Sequence, residues 1–475
     1  MLLGIDLGTS SVKVLLLDLD GIVVGEASHD YPVLAPRPGW SETEPEAWWT
    51  AVTTAVHQAV GVRRAEVAAV GLSGQMHGVV LADAQGQALR PAVLWADARA
   101  SRELERYHAL AEVQHQALAN PITVGMAGPS LLWLRDHEAE TYQRARWALQ
   151  PKDWLRLRLT GVAASDPSDA SATLLYDVAD DGWAHGVIES LGLRHDLLPP
   201  VLPSAQVAGT LCAAAASALG LAEGVPVATG ASDVAAAALG SGLDLDGDAQ
   251  LTVGSGAQLV RITAVPKAAP AFGLHLYRAA QPRTFYTMAA MQNAGLALEW
   301  VLAVLGLGWD DAYALAPSVA PGCDELTFLP YLVGERTPHL DPHAAGAWIG
   351  LRRHHTRAHL LRAALEGVAF SVRDGLEALR QAGVQPATLR LAGGGSQHRF
   401  WRQLLADTLH EPLQVSNVAN ASARGAALLA ALSIGTSLPA LPAVALGERL
   451  LPNPLDERLE QAYRRFRGLY GKVFT

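Results

Sequence analysis

Cysteine is scarce in this chain. Cys212 and Cys323 are the two among 475 residues, and neither belongs to a C-x-x-C pair, so neither a zinc site nor a disulfide framework is indicated. Charge is sparse too, at 17% of residues, and 46 acids against 36 bases leave a net charge of −10. That balance argues against general nucleic-acid binding and against an anionic-membrane surface. No run of about 18 apolar residues without charge occurs, so no membrane span is expected. The chain enters an apolar strand at once, without a basic n-region, and shows no sign of a signal peptide. A cytoplasmic location is therefore expected. Hydrophobic residues, in contrast, make up 50%, which fits a folded soluble enzyme rather than a disordered chain. One core does not normally serve 475 residues, so two or more domains are expected.

The opening stretch organises the rest. Leu2 to Ile5 reads as a buried strand with Asp6 at its end, and Val12 to Leu17 reads as a second strand. Between them Gly8 permits a tight turn, and Thr9, Ser10 and Ser11 place hydroxyls beside exposed amides. A strand, a Gly/Thr/Ser turn and a strand can cradle a phosphate in backbone N–H groups without a helix N-terminus. An ordinary hairpin with a polar turn is the alternative. Asp6 suits a hydrated magnesium ion, which takes only one or two protein carboxylates. The design recurs at Ala249 to Val253, Gly254-Ser255-Gly256-Ala257 and Gln258 to Ile262. Two such turns, one per half, are what a duplicated fold closing over a nucleotide would present. The polar link Asp244 to Asp248 is the expected hinge, dividing the chain into residues 1–243 and 244–475.

Other segments bring chemistry to strand ends, where open α/β sheets bind ligands. Val67 to Leu72 delivers Ser73-Gly74-Gln75-Met76-His77-Gly78. Gln75 and His77 are candidates to hydrogen-bond sugar hydroxyls and Met76 to line a sugar face; a turn with a surface histidine is the plainer reading. In Leu94-Trp95-Ala96-Asp97-Ala98-Arg99, Asp97 either faces a polyol or caps a helix starting near Ser101. Val225 to Thr229 leads to Gly230-Ala231-Ser232-Asp233 and an Ala-rich helix. Asp233 suits either an N-cap, worth about 1 kcal/mol, or a general base for an attacking hydroxyl. Glu335 and Arg336 follow a strand expected over Leu326 to Leu332 and either pair or brace a cleft. Helices are expected from Pro45, over Leu296 to Leu305, over Asp310 to Ala316, and over Arg357 to Gln381 with one apolar face. After a strand at Thr388 to Leu391, Gly393-Gly394-Gly395-Ser396 removes every Cβ where a base or ribose could lie on backbone. The small-residue helix starting at Ala423 is expected to pack near that loop, and the tail from Leu455 reads as a surface helix.

The opening motif resembles the first phosphate motif of ATPases with the actin and hexokinase-type fold. Gln75-Met76-His77-Gly78, Leu94 to Arg99, Pro151-Lys152-Asp153-Trp154-Leu155 and Ser165-Asp166-Pro167-Ser168-Asp169-Ala170-Ser171 resemble the xylulokinase branch of the FGGY carbohydrate kinase family. So does the spacing of Gly346 to Leu351, His359-Leu360 and Ala363 to Glu366, which follows that family's second signature. The resemblance runs from Leu2 to about the last helix. It implies an α/β, two-domain actin/hexokinase-type (ribonuclease H-like) fold with an interdomain cleft. It also implies ATP and Mg2+ as cofactors and phosphorylation of a sugar hydroxyl, D-xylulose giving D-xylulose 5-phosphate. Asp233 would then be the catalytic base and Asp6 the metal ligand. Gln75, Met76, His77 and Asp97 would face the sugar. Gly8, Thr9, Ser10, Lys13, Gly254, Ser255, Gly393, Gly394, Gly395 and Ser396 would hold the nucleotide.

Three positions depart from the pattern. Ser130 stands where the first signature usually has Lys, and Ala96 and Val234 stand where xylulokinases usually have Asn. These changes leave the phosphate machinery intact and open the sugar's identity, with ribulose or a glycerol-like polyol as alternatives. A non-enzymatic sugar or nucleotide sensor on the same fold is a different class, but no DNA-binding segment is recognised. An actin-like filament or chaperone ATPase is a third. The expected partners are a small sugar and ATP, not nucleic acid or membrane, with a homodimer left open.

Overall fold

The computed structural model describes residues 1–243, 245–437 and 443–474. Asp244, where the expected hinge begins, lies outside them. Among the described residues two seven-stranded sheets carry the molecule. The first contains β1 (Leu2–Leu7), β2 (Ser11–Leu17), β3 (Val23–Asp30), β4 (Ala69–Gly74), β5 (Val207–Thr210), β6 (Pro226–Ala228) and β7 (Ala231–Ser232). Its order is β5-β6-β4-β1-β2-β3, with β7 beside the end of β4. The second contains β8 (Asp248–Val253), β9 (Ala257–Thr263), β10 (His275–Arg278), β11 (Phe285–Met291), β12 (Thr388–Ala392), β13 (Leu413–Ser416) and β14 (Leu446–Leu450), in the order β10-β11-β9-β8-β12-β13-β14.

The expected duplication is present in the pairing. β1 runs antiparallel to β2 and parallel to β4. β8 likewise runs antiparallel to β9 and parallel to β12. Each half therefore presents one tight turn beside the end of a parallel neighbour, which is where the chemistry collects.

All six residues of β1 are buried, because helices cover both faces of this sheet, as parallel strands require. On one face lies α1 (Pro45–Val60), which starts at a Pro with no N–H to satisfy and buries Trp48, Val52, Val56 and Val60 at helical spacing. The lysine-bearing α2 (Pro151–Thr160) and the short α3 (Asp233–Gly240) frame the strand ends. The second half is built on the long α4 (Arg357–Gln381), with the ends its sequence predicts, beside α5 (Arg399–Leu409).

The helix α6 (Ala421–Ser433) corrects an expectation. It lies in sequence between β13 and β14 of the second sheet, but its small residues pack on the first sheet: Ala427, Ala430 and Ala431 join Leu2, Leu17 and Ala69 in one apolar cluster. A Cβ on Gly71 in β4 would overlap the carbonyl oxygen of Ala426, and one on Gly425 would overlap that of Ala236 in α3. Glycine there sets how closely α6 approaches both elements. The terminal α7 (Glu457–Val473) is amphipathic, as its sequence suggests, and buries Leu459, Ala462, Tyr463 and Phe466.

Two further expectations change. The strand expected over Leu326 to Leu332 is confined to Thr327–Leu329, and the helix expected near Ser101 is a 3-10 turn, Arg99–Ser101, followed by Leu104–His108. No described helix is long and apolar enough to cross a membrane.

Candidate active site

A cavity of about 500 Å3 lies between the two sheets. The first half supplies Thr9, Met76, His77, Trp95, Asp233 and Val234 to its wall. The second supplies Gly254, Ser255, Gly256, Gln292 and Arg336. A side cavity of about 190 Å3 shares Asp233, Val234 and Thr252.

Asp233 is held by a short strand and a helix start. β7 pairs with β4, placing Ala231 opposite Ser73 and Ser232 opposite Gly74. Ser232, not Asp233, is the N-cap of α3: its hydroxyl accepts from the Ala235 N–H. The cap role weighed for Asp233 is thus taken by its neighbour. Asp233 becomes the first helical residue, and its Oδ1 accepts only locally, from the Val234 N–H at 2.8 Å. Burial, and then the charge of Asp6, push its carboxyl up to about 7.

Asp6 ends β1 in the same corner. Ser73 donates its hydroxyl proton to Asp6 Oδ1 at 2.5 Å. Burial raises the Asp6 carboxyl, while Ser73 and Lys13 oppose the rise. Asp6 raises the proton affinity of Asp233; neighbouring carboxylates of this kind also suit a divalent cation, and a hydrated magnesium needs only one or two of them. The donor set therefore fits that ion, with Asp6 as the ligand.

The two turns are tied down through their carbonyls. In the first, Gly8 donates its N–H to Ser11 O at 3.0 Å, and the Tyr31 hydroxyl and Gln75 Nε2 both donate to Gly8 O. Thr9 Oγ1 accepts from the Trp95 indole at 2.9 Å. In the second, Gly254 donates its N–H to Gly256 O at 2.8 Å, and Gly295 and Leu296 donate to Gly254 O and Ser255 O, each at 2.9 Å. Gly254 and Ser255 remain exposed to the cavity.

The glycine loop abuts the second turn, but its glycines differ. Gly393 sits at φ 97° against Val253, and a Cβ on Gly395 would stand 2.9 Å from Val253 Cγ1. These two serve close packing on the end of β8. Gly394 alone of the three faces open space. Ser396 spends its hydroxyl on Gly393 O at 2.7 Å.

On the same wall His77 sits at φ 72°, an uncommon angle for a side-chain-bearing residue. Its Nδ1 donates to Ala172 O at 2.7 Å. Burial pushes its pKa down to about 4, so the ring is neutral and Nε2 is left as a hydrogen-bond acceptor. Met76 lies beside the Tyr286 hydroxyl, 3.7 Å from its sulfur.

Asp6, Gly8 and the loop Gly393 to Ser396 stand behind the cavity wall rather than on it, and Gln75, Asp97, Ser10 and Lys13 also lie elsewhere. Gln75 is buried behind the first turn and braces it. Asp97 is buried and paired with Arg99 (2.7 Å), and it accepts from Ser41 N at 2.6 Å, fastening two loops together. Neither lines the cavity. Ser10 and Lys13 are exposed and also stand off its wall, with Lys13 opposite Asp6 across the β1–β2 hairpin.

One cluster was not anticipated as such. Lys152 in α2 places its ammonium 2.6, 2.8 and 2.9 Å from Asp153, Asp166 and Asp169, and Arg156 stands 3.1 Å from Asp153. The three carboxyls lie close enough to share a metal ion, but the ammonium fills that place. Burial holds the Asp169 carboxyl well above the usual range, and the Lys152 ammonium opposes that rise. The cluster reaches the start of α3, beside Asp233, by hydrogen bonds. Asp166 accepts from Ser168 Oγ, and Ser168 Oγ accepts from Ser232 N at 2.9 Å. The Lys-Asp and Ser/Asp motifs were visible in the sequence; their meeting across a dozen intervening residues was not. Arg336, read as a partner for Glu335 or a brace, instead lines the cavity.

A family model for the N-terminal domain of FGGY carbohydrate kinases matches residues 1–240, and one for the C-terminal domain matches residues 249–434. The chain is 36% identical to a xylulose kinase of Escherichia coli K12, over all of this chain and 99% of that protein. It is 34% identical to a glycerol kinase of Alkalilimnicola ehrlichii, over 91% of this chain and 90% of that one. A crystal structure of a xyloylose kinase from Brucella ovis superposes with a TM-score of 0.93 at 35% identity, covering 99% of both chains. Two matched domains in order, full-length relatives and a cavity between duplicated halves agree, and the chain belongs to the FGGY family of carbohydrate kinases.

Proposed function

We propose that this chain transfers the γ-phosphoryl group of ATP to a hydroxyl of D-xylulose, giving D-xylulose 5-phosphate and ADP. The observation that carries the reading is Asp233: a carboxylate raised to about 7, on the wall of a cavity that both tight turns also line. A base with a pKa near the working pH accepts a proton efficiently in the transition state. The sugar oxygen forms the new bond to phosphorus, its proton passes to Asp233, and the bridging oxygen leaves with ADP. Such transfer depends on positioning and on neutralising charge.

Each wall has a part. In the turns at Gly8 to Ser10 and Gly254 to Ser255, whose Gly8 and Gly254 N–H groups close the turns themselves, the N–H groups of Thr9, Ser10 and Ser255 are offered to phosphate oxygens, and Gly393 to Gly395 with Ser396 flank the nucleoside. Met76 and the Nε2 lone pair of His77 receive the sugar, with His77 accepting from one of its hydroxyls. Asp6 would hold a hydrated magnesium ion, which supplies positive charge to the phosphates. Closure of the two halves would exclude water as a competing acceptor.

The names of the Escherichia coli and Brucella relatives support xylulose as the acceptor. The glycerol kinase relative and the apolar Val234 beside Asp233 favour a second reading, a broader ketose or polyol range. ATP turnover across a panel of ketoses, aldoses and polyols separates the two. The first reading expects the highest kcat/KM with D-xylulose; similar values for several ketoses or polyols favour the second. No sugar-dependent ADP release with any of them would overturn both.

A further inference from the structure

We propose that Arg336 is a catalytic residue whose guanidinium stabilises the phosphoryl group during its transfer; this deepens the kinase reading and rests on it. A triphosphate tail brings several negative charges into the cavity, yet Arg336 is the one cationic side chain on its described wall. His77 is neutral there, and Lys13 lies off the wall. Among the described residues the Arg336 guanidinium has no hydrogen bond or ion pair, and it stands over the face of Trp95, 5.5 Å to the ring centroid. The indole N–H of the same Trp95 holds Thr9 in the first phosphate turn. The charge therefore stands within one ring of that turn, in the cavity that Asp233 also lines.

The neighbouring carboxylate of Glu335 attracts the guanidinium through space but makes no ion pair with it. Glu335 accepts from the N–H groups of Gln292 (2.7 Å) and Arg336 (2.8 Å), and it faces Asn293 with its second oxygen. The backbone on the other side is clamped: Thr337 donates its N–H to Ala290 O at 2.9 Å and its hydroxyl to Gly273 O at 2.7 Å. A half-buried cation on the cavity wall that makes no ion pair of its own gains a partner when an anion enters. A planar donor fork suits the oxygens of a phosphoryl group, and donors fixed in advance need no reorganisation when charge shifts. Because Arg336 belongs to the second half and Asp233 to the first, closing the cavity would bring both onto the reacting group.

The test uses Arg336→Met and Arg336→Lys in the full chain. With saturating ATP, magnesium and D-xylulose, Arg336→Met should lose about 100- to 1,000-fold in kcat, the scale for removing one preorganised charge donor. Its dissociation constants for ADP and for D-xylulose should stay within about threefold of the wild type, and Arg336→Lys should recover part of the rate. The decisive readout is the complex with ADP, magnesium, D-xylulose and aluminium fluoride, which imitates the phosphoryl group in flight. Arg336→Met should bind that combination about 100-fold more weakly or worse. A kcat within about threefold of wild type overturns the proposal. So does a loss confined to weaker D-xylulose binding with the fluoride complex intact, which would make Arg336 a sugar contact. If the wild type itself shows no sugar-dependent turnover, the kinase reading falls and this inference with it.

Discussion

Replacing Asp233 with Asn should inactivate the protein and stabilise it. The carboxyl is raised from its ordinary 3.8 to about 7 by burial and by Asp6. Between those two values the folded state holds more protons than the unfolded state, so stability falls as pH rises through the window. At 1.36 kcal/mol per unit the full cost is about 4 kcal/mol. Asp233 keeps one edge toward the cavity, so solvent relieves part of it and about 2–4 kcal/mol is expected. Asn retains the acceptor for the Val234 N–H but carries no charge to desolvate. Asp233→Asn should therefore match the wild type near pH 4 and exceed it by about 2–4 kcal/mol near pH 8. Urea unfolding in EDTA at several pH values reads this directly, since a bound divalent cation would offset the repulsion between Asp6 and Asp233. Wild-type activity should run the other way, with kcat/KM falling as pH drops below about 7. A stability difference that stays flat with pH, or a variant weaker than wild type at pH 8, would refute the reasoning.

Other substitutions test separate links. Gly71→Ala should cost about 1–3 kcal/mol or more in urea unfolding, because its Cβ would overlap the Ala426 carbonyl of α6. Lys152→Met should cost about 3–5 kcal/mol by the same measurement, since it leaves buried acids without their ammonium. Little loss in either would mean that the contact relaxes freely. His77→Leu should lower kcat/KM for the sugar by roughly 10- to 100-fold, the cost of leaving a hydroxyl unpaired. Isothermal titration should show ATP affinity unchanged in that variant; a matching loss there would mean that His77 serves the whole cavity.

The hairpins and the long helix were legible because their signals are local. Apolar runs broken by Gly/Thr/Ser or Gly/Ser turns specify β1–β2 and β8–β9, and α4 shows its apolar face over 25 residues. What stayed hidden depends on partners far along the chain. Asp97 and Gln75 carry groups suited to a sugar, but Arg99, Ser41 and Gly8 claim them first. At the start of α3 two adjacent residues were both fit to cap, and strand pairing decided for Ser232. The crossing of α6 onto the first sheet is encoded in glycines and alanines on both sides, a composition that says a close approach exists but not to what.

The central claim is that the carboxylate at Asp233 accepts the proton of the attacking sugar hydroxyl. Phosphorus NMR of wild type and Asp233→Ala incubated with ATP, magnesium and D-xylulose, beside ATP titrations of both, tests it directly. The account predicts a sugar-phosphate resonance from the wild type, none above background from the variant, and equal ATP affinity. Sugar phosphate formed by Asp233→Ala at a rate near that of the wild type would contradict it.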